Sequence, residues 1–75
     1  MENRITHHGV VSRYLKNRRF GFIRFLDAAG EIFAHELELI GVTELAAGQR
    51  VEFETGEFNG KKVAKNVRVV DGGAL

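Results

Sequence analysis

Between residues 9 and 70 the succession of apolar and polar positions reads as β structure. Residues 9–15 are rich in Val and Tyr, and residues 20–26 are aromatic and β-branched. Residues 31–35 alternate, with Ile32 and Ala34 on one face and Glu31, Phe33 and His35 on the other. Asp27-Ala28-Ala29-Gly30 is a turn between the second and third strands, Gly30 supplying backbone freedom. Val51, Phe53 and Thr55 alternate with Glu52, Glu54 and Gly56 to give a half-buried fourth strand. Asn59-Gly60 is a strong hairpin signal, and residues 61–70 return as a fifth strand with Val63, Val67 and Val69 on one face. Residues 36–47 break the pattern. Their Leu37, Leu39, Ile40 and Leu45 fit a short helical turn or an irregular connection that ends at Gly48.

Five short strands with one longer connection between the third and fourth predict a small all-β barrel rather than a sandwich. Closing the sheet removes edges that so small a protein cannot easily protect. The chain has 75 residues and no proline, enough for one compact domain that buries only about 60% of its unfolded surface. The barrel is placed at residues 9–70, with flexible tails at residues 1–8 and 71–75.

The second strand carries the sharpest chemical signal. Residues 18–25 read RRFGFIRF, three of the chain's six Phe and three Arg in eight positions. Side chains two apart share a face, so Phe20, Phe22 and Arg24 point one way and Gly21, Ile23 and Phe25 the other. Ile23 and Phe25 make the natural core pair, and Gly21 lets a neighbouring strand approach closely. Phe20 and Phe22 are therefore expected on the outer face, where bare rings cost solubility unless something covers them. Phe33 and His35 extend the same face from the third strand. Flat rings beside cations suit unpaired nucleic acid: bases stack on aromatics for about 1–3 kcal/mol each, and Arg or Lys follows the phosphates. A duplex would not suit, because its bases already stack on one another.

Net charge is only +1, but its distribution is segmental. Residues 3–26 hold six Lys or Arg and no acid, residues 27–57 hold eight acids against Arg50 alone, and Lys61, Lys62, Lys65 and Arg68 follow. If the two basic segments meet in the fold, they make a positive face that net charge conceals.

Other classes are set aside. The absence of Cys excludes disulfides, thiolate metal sites and a Cys nucleophile. No apolar run approaches the roughly 18 residues that span a membrane, and the N-terminus lacks the form of a signal peptide, so a soluble cytoplasmic protein is expected. His35-Glu36-Leu37-Glu38 lacks the second His of a metal-hydrolase signature, and no Pro-Cys-x-x-Cys element accompanies it. His7-His8 falls in the expected tail. Glu52, Glu54 and Glu57 read as a solvated strand face, and Gly56-x-x-x-Gly60 lacks the Lys-Ser/Thr of a phosphate loop. No enzymatic activity, metal or cofactor is expected.

Arg18-Arg19-Phe20-Gly21-Phe22-Ile23 resembles the first ribonucleoprotein-type motif of cold-shock domains, usually Lys-Gly-Phe-Gly-Phe-Ile, and Ile32-Phe33-Ala34-His35-Glu36 resembles the second, usually Val-Phe-Val-His-Phe. Gly9-Val10-Val11, the Gly48-Gln49-Arg50-Val51-Glu52-Phe53 segment and Ala64-Lys65-Asn66-Val67 are similar to the first-, fourth- and fifth-strand motifs in the right order. The resemblance implies a five-stranded antiparallel OB-fold barrel that binds single-stranded RNA or DNA on strands one to three, as a monomer with an RNA-chaperone-like action. Carried over by position, Phe20, Phe22, Phe33 and His35 match the family's stacking platform, Tyr14 matches its first-strand phenylalanine and is expected to stack a base beside them, and Arg18 matches its motif lysine. Arg13, Lys16, Arg19, Arg24 and Lys61 complete the expected basic contacts.

The departures weigh as much. Arg13 stands where the family usually has Trp, Arg19 where it has Gly, and Glu36 where it has Phe; the connection after His35 is shorter and carries no aromatic. Stacking surface is lost and positive charge gained, so binding should be weaker or less base-selective and more salt-dependent. Glu36, the missing Trp and the acidic middle segment also suit a rival reading, a barrel turned to protein interaction.

Overall fold

The structure, a computed structural model, describes residues 5–70. Strands β1 (His7–Leu15), β2 (Phe20–Phe25), β3 (Glu31–His35), β4 (Arg50–Phe58) and β5 (Lys61–Val69) are joined by turns, with one 3-10 turn at Glu36–Glu38. They close into a barrel in the order β1-β2-β3-β5-β4. Every pairing among the described residues is antiparallel except the closing contacts, where Phe33 of β3 meets Val63 of β5 and Leu39 meets Val67 in parallel.

The outer parts of the expected tails, residues 1–4 and 71–75, lie outside the described residues. The inner part needs correction: His7 and His8 are not tail but the start of β1, opposite Phe53 and Glu52 of β4. The His7 ring stacks on Phe53 at 5.8 Å and meets the edge of Phe25 at 5.6 Å. A partner more than forty positions away orders this segment, so its own residues give no local sign of a strand.

The core is small. Val11, Ile23, Ile32, Ala34, Val51, Phe53, Ala64 and Val67 meet inside the barrel, each almost fully buried, and Leu45 joins them from the long connection. Phe53 is the largest fully buried side chain, and truncating such a ring to Ala costs about 3–5 kcal/mol. At Gly21 β1 leaves no room for a side chain: a Cβ there would lie 2.4 Å from the Arg13 carbonyl oxygen and 2.7 Å from the Tyr14 ring. At the β4–β5 tip Asn59 and Gly60 both take positive φ, 53° and 79°, the backbone that an Asn-Gly two-residue hairpin adopts.

Two bulges decide which side chains face out. In β1 the pairing steps from Val11–Ile23 to Arg13–Phe22, so Ser12 is the extra residue. Val11 and Tyr14, three apart, both turn inward, and Arg13 comes to the outer face. Beside the bulge the backbone is tied to the long connection: Val11 N–H donates to the Gln49 carbonyl and Gly48 N–H donates to the Val11 carbonyl, at 2.9 and 2.8 Å. In β5 the pairing steps from Glu52–Arg68 to Glu54–Lys65, with Asn66 at φ 52°. Ala64 and Val67 therefore fill the core. Val63, expected on their side, instead sits beside Phe33 on the outer face, covered but not part of the core cluster.

Candidate nucleic-acid interface

Strands β2 and β3 position the rings. Antiparallel pairing sets Phe22 opposite Phe33 and Phe20 opposite His35, and directly opposed residues share a face with their Cβ atoms about 5 Å apart. Ring centroids fall 5.1 Å apart for Phe20–Phe33, 6.0 Å for Phe20–Phe22, 6.1 Å for Phe22–Phe33 and 6.4 Å for Phe33–His35. All four rings are half-buried. The rings adjoin one another and each keeps part of its surface in solvent. His35 Nδ1 accepts a hydrogen bond from Leu37 N–H at 3.1 Å, which places the neutral ring's proton on Nε2 and leaves that nitrogen a free donor.

The expected cations take four settings. Arg13 lies on the platform itself, its guanidinium carbon 4.8 Å from the Phe22 centroid. Lys16, Arg18 and Arg19 occupy the exposed β1–β2 turn at one end of the rings. Arg24 is exposed on the outer face further along β2, opposite Glu31. Lys61 begins β5, across β3 from β2. The two basic segments thus flank the rings from either side rather than merging. The acidic middle segment reaches into the same surface: Glu36 lies 3.8 Å from Arg19, Glu44 3.6 Å from Lys16 and Glu38 3.4 Å from Lys65.

Tyr14 is not on this face. The Ser12 bulge turns it inward to pair with Gly21 and pack against the core, and its buried hydroxyl has no hydrogen-bond partner among the described residues. Burial, followed by the Glu36 and Glu44 carboxylates, raises its pKa above the ordinary value of 10, with Arg19 opposing.

Sequence reasoning overlooked part of the surface. Between β3 and the β4–β5 hairpin runs an open groove of about 760 Å³, floored by Phe22, Phe33 and Val63 and bounded by Leu37, Phe58, Lys61, Lys62 and Lys65. Phe58 is 64% exposed. The signal was available, since Phe58 continues the outward alternation of Glu52, Glu54 and Gly56. Among the described residues no cluster of three or more His, Asp or Glu side chains is placed to hold a metal ion.

Comparison with known proteins agrees with this geometry. Residues 7–70 match the family model described as 'Cold-shock' DNA-binding domain, and the match begins at His7, where β1 does. A Cold shock-like protein of Aquifex aeolicus (strain VF5) is 34% identical over 68 residues, covering 88% of this chain and 97% of that protein. The solved structure of drosophila Unr CSD456 superposes with a TM-score of 0.77 at 16% identity, over 97% of this chain and 30% of the larger one. At that identity the likeness speaks for the fold alone, and the chain spans under a third of that structure. With a family match over nearly every described residue and a relative of nearly equal length, the chain belongs to the cold-shock domain family, whose members are generally nucleic-acid-binding proteins.

Proposed function

We propose that this protein binds single-stranded RNA or DNA by stacking bases on Phe20, Phe22, Phe33 and His35. Arg13, Lys16, Arg18, Arg19, Arg24 and Lys61 contact the backbone. The observation that carries the reading is the contiguous, half-exposed cluster of three Phe rings and one imidazole on adjoining strands, with a guanidinium laid on Phe22. Unpaired bases offer flat faces to such a surface at about 1–3 kcal/mol each. Holding the unpaired form draws weak secondary structure open by mass action, an RNA-chaperone-like action that needs no enzymatic step, and one monomer supplies the whole face.

A second reading has its own support. Arg19 is engaged by Glu36 and Leu37 stands 82% exposed beside the groove, features that suit a protein partner. Fluorescence anisotropy with labelled oligo-dT and oligo-U at low salt separates the two. The nucleic-acid reading expects binding that Phe22→Ala weakens at least about fivefold with the melting temperature preserved. No binding by the wild-type protein at low salt would sink it and favour the protein-interaction module.

A further inference from the structure

The β4–β5 hairpin bears an aromatic that the platform does not include. Phe58 pairs with Lys61 at the hairpin tip and has no ring contact among the described residues, unlike Phe20, Phe22 and Phe33, which rest on one another. An exposed Phe by itself is unremarkable. Its setting is not. By alternation Gly56 is next on the same face, and with no side chain there the Lys65 stem lies in the vacant space, its Cγ and Cε 2.9 Å from where a Cβ would be. Phe58 therefore lines the same largely apolar groove as Phe33 and Phe22, with the Lys65 stem lying along it.

The charges around the groove select among occupants. Among the described residues, Lys61, Lys62 and Lys65 border it against one carboxylate, Glu38, which Lys65 already engages at 3.4 Å. Apolar walls with a rim of cations fit a polyanion carrying flat apolar groups better than they fit a neutral or basic peptide.

We propose that this groove holds a further nucleotide of the strand bound on the platform, its base stacked on Phe58 and its phosphate against Lys61 and Lys62. The inference rests on the platform reading above and extends it. The bound strand crosses β3 and continues onto the hairpin, so an aromatic from β4 supplies stacking surface that the short connection after His35 lacks.

The test compares oligo-dT of three to nine nucleotides on wild type, Phe58→Ala and Phe22→Ala. Phe58 is exposed, so Phe58→Ala should keep the wild-type melting temperature. Affinity of the wild type should continue to rise at lengths where Phe58→Ala has levelled off. The longest oligomer should lose about 5- to 100-fold in Phe58→Ala, and the shortest should bind both alike. The chain contains no Trp, so Phe58→Trp gives a single reporter, whose fluorescence should be quenched by long oligomers and not by short ones. Equal affinities of wild type and Phe58→Ala at every length, with no quenching in Phe58→Trp, would overturn the proposal. If Phe22→Ala still weakened binding in that case, the platform would stand and the groove would belong to another occupant. Absence of wild-type binding at any length would remove both.

Discussion

Arg13 and Phe22 stand directly opposite each other in the β1–β2 ladder, with the guanidinium carbon 4.8 Å from the ring centroid. The first strand thus contributes to the platform a cation laid on a ring, where related domains usually place a second ring. An exposed contact of this kind is worth about 0.5–1 kcal/mol, less than a stacked base. Arg13→Trp is expected to tighten oligo-dT binding about fivefold or more at high salt. It should also lower the slope of log affinity against log salt by about one, because one phosphate contact is gone. A salt titration of both proteins reads the two effects together, and parallel slopes would remove Arg13 from the phosphate contacts.

Glu36 restrains the same surface from the other side. Its carboxylate lies 3.8 Å from Arg19 Nε, so a phosphate approaching Arg19 must displace it. The backbone tie between these residues, Glu36 N–H donating to the Arg19 carbonyl at 2.8 Å, does not depend on the side chain. Glu36→Gln should therefore leave the melting temperature nearly unchanged, since so exposed an ion pair is worth about 0–1 kcal/mol. Binding at low salt should tighten about two- to fivefold, a gain that shrinks as salt screens the charge. An affinity unchanged at low salt would mean that Arg19 does not face the strand.

Much of this surface was legible in the chain because β alternation is local. Phe20, Phe22, Phe33 and His35 could be set on one face from spacing alone, and Gly21 could be assigned to a close strand approach. What escaped was set by backbone irregularities and distant partners. The bulge at Ser12 inverts the parity of β1 beyond it, so Tyr14 turns inward although it stands where the resemblance would put a platform ring. The bulge at Asn66 likewise exchanges Val63 for Ala64 in the core. One extra residue flips every side chain beyond it, and no side-chain pattern announces it. His7 and His8 are strand only because β4 lies alongside them, and Phe58 belongs to the groove only because the hairpin curls toward β3.

Arg19 offers a way to separate stability from binding. It sits at φ 65°, a left-handed conformation that costs a side-chain-bearing residue roughly 1 kcal/mol and glycine almost nothing. The family's usual Gly at this motif position is thereby explained by backbone geometry. Arg19→Gly should hold or raise stability, by up to about 1 kcal/mol in urea unfolding. It should weaken oligonucleotide binding at low salt and reduce the salt slope by about one. Lower stability together with unchanged binding would refute both halves of this assignment.

Tyr14 gives the clearest pH dependence. Its hydroxyl is buried without a partner among the described residues, and burial, with the Glu36 and Glu44 carboxylates behind it, raises its pKa above 10. A raised folded-state value means that folding favours the protonated phenol. The stability this group contributes is fully present below the unfolded value near 10, and it is lost as pH climbs through the higher folded value. The wild-type protein should lose more stability above pH 10 than Tyr14→Phe, and the two curves should run parallel below it. At neutral pH Tyr14→Phe should be neutral or stabilising by about 1 kcal/mol, because it removes an unsatisfied polar group. This is the chain's one Tyr and there is no Trp, so tyrosinate absorbance reports the group alone. Ionisation in the folded protein at the same pH as in the urea-unfolded chain would show that the phenol is not held in the inward position.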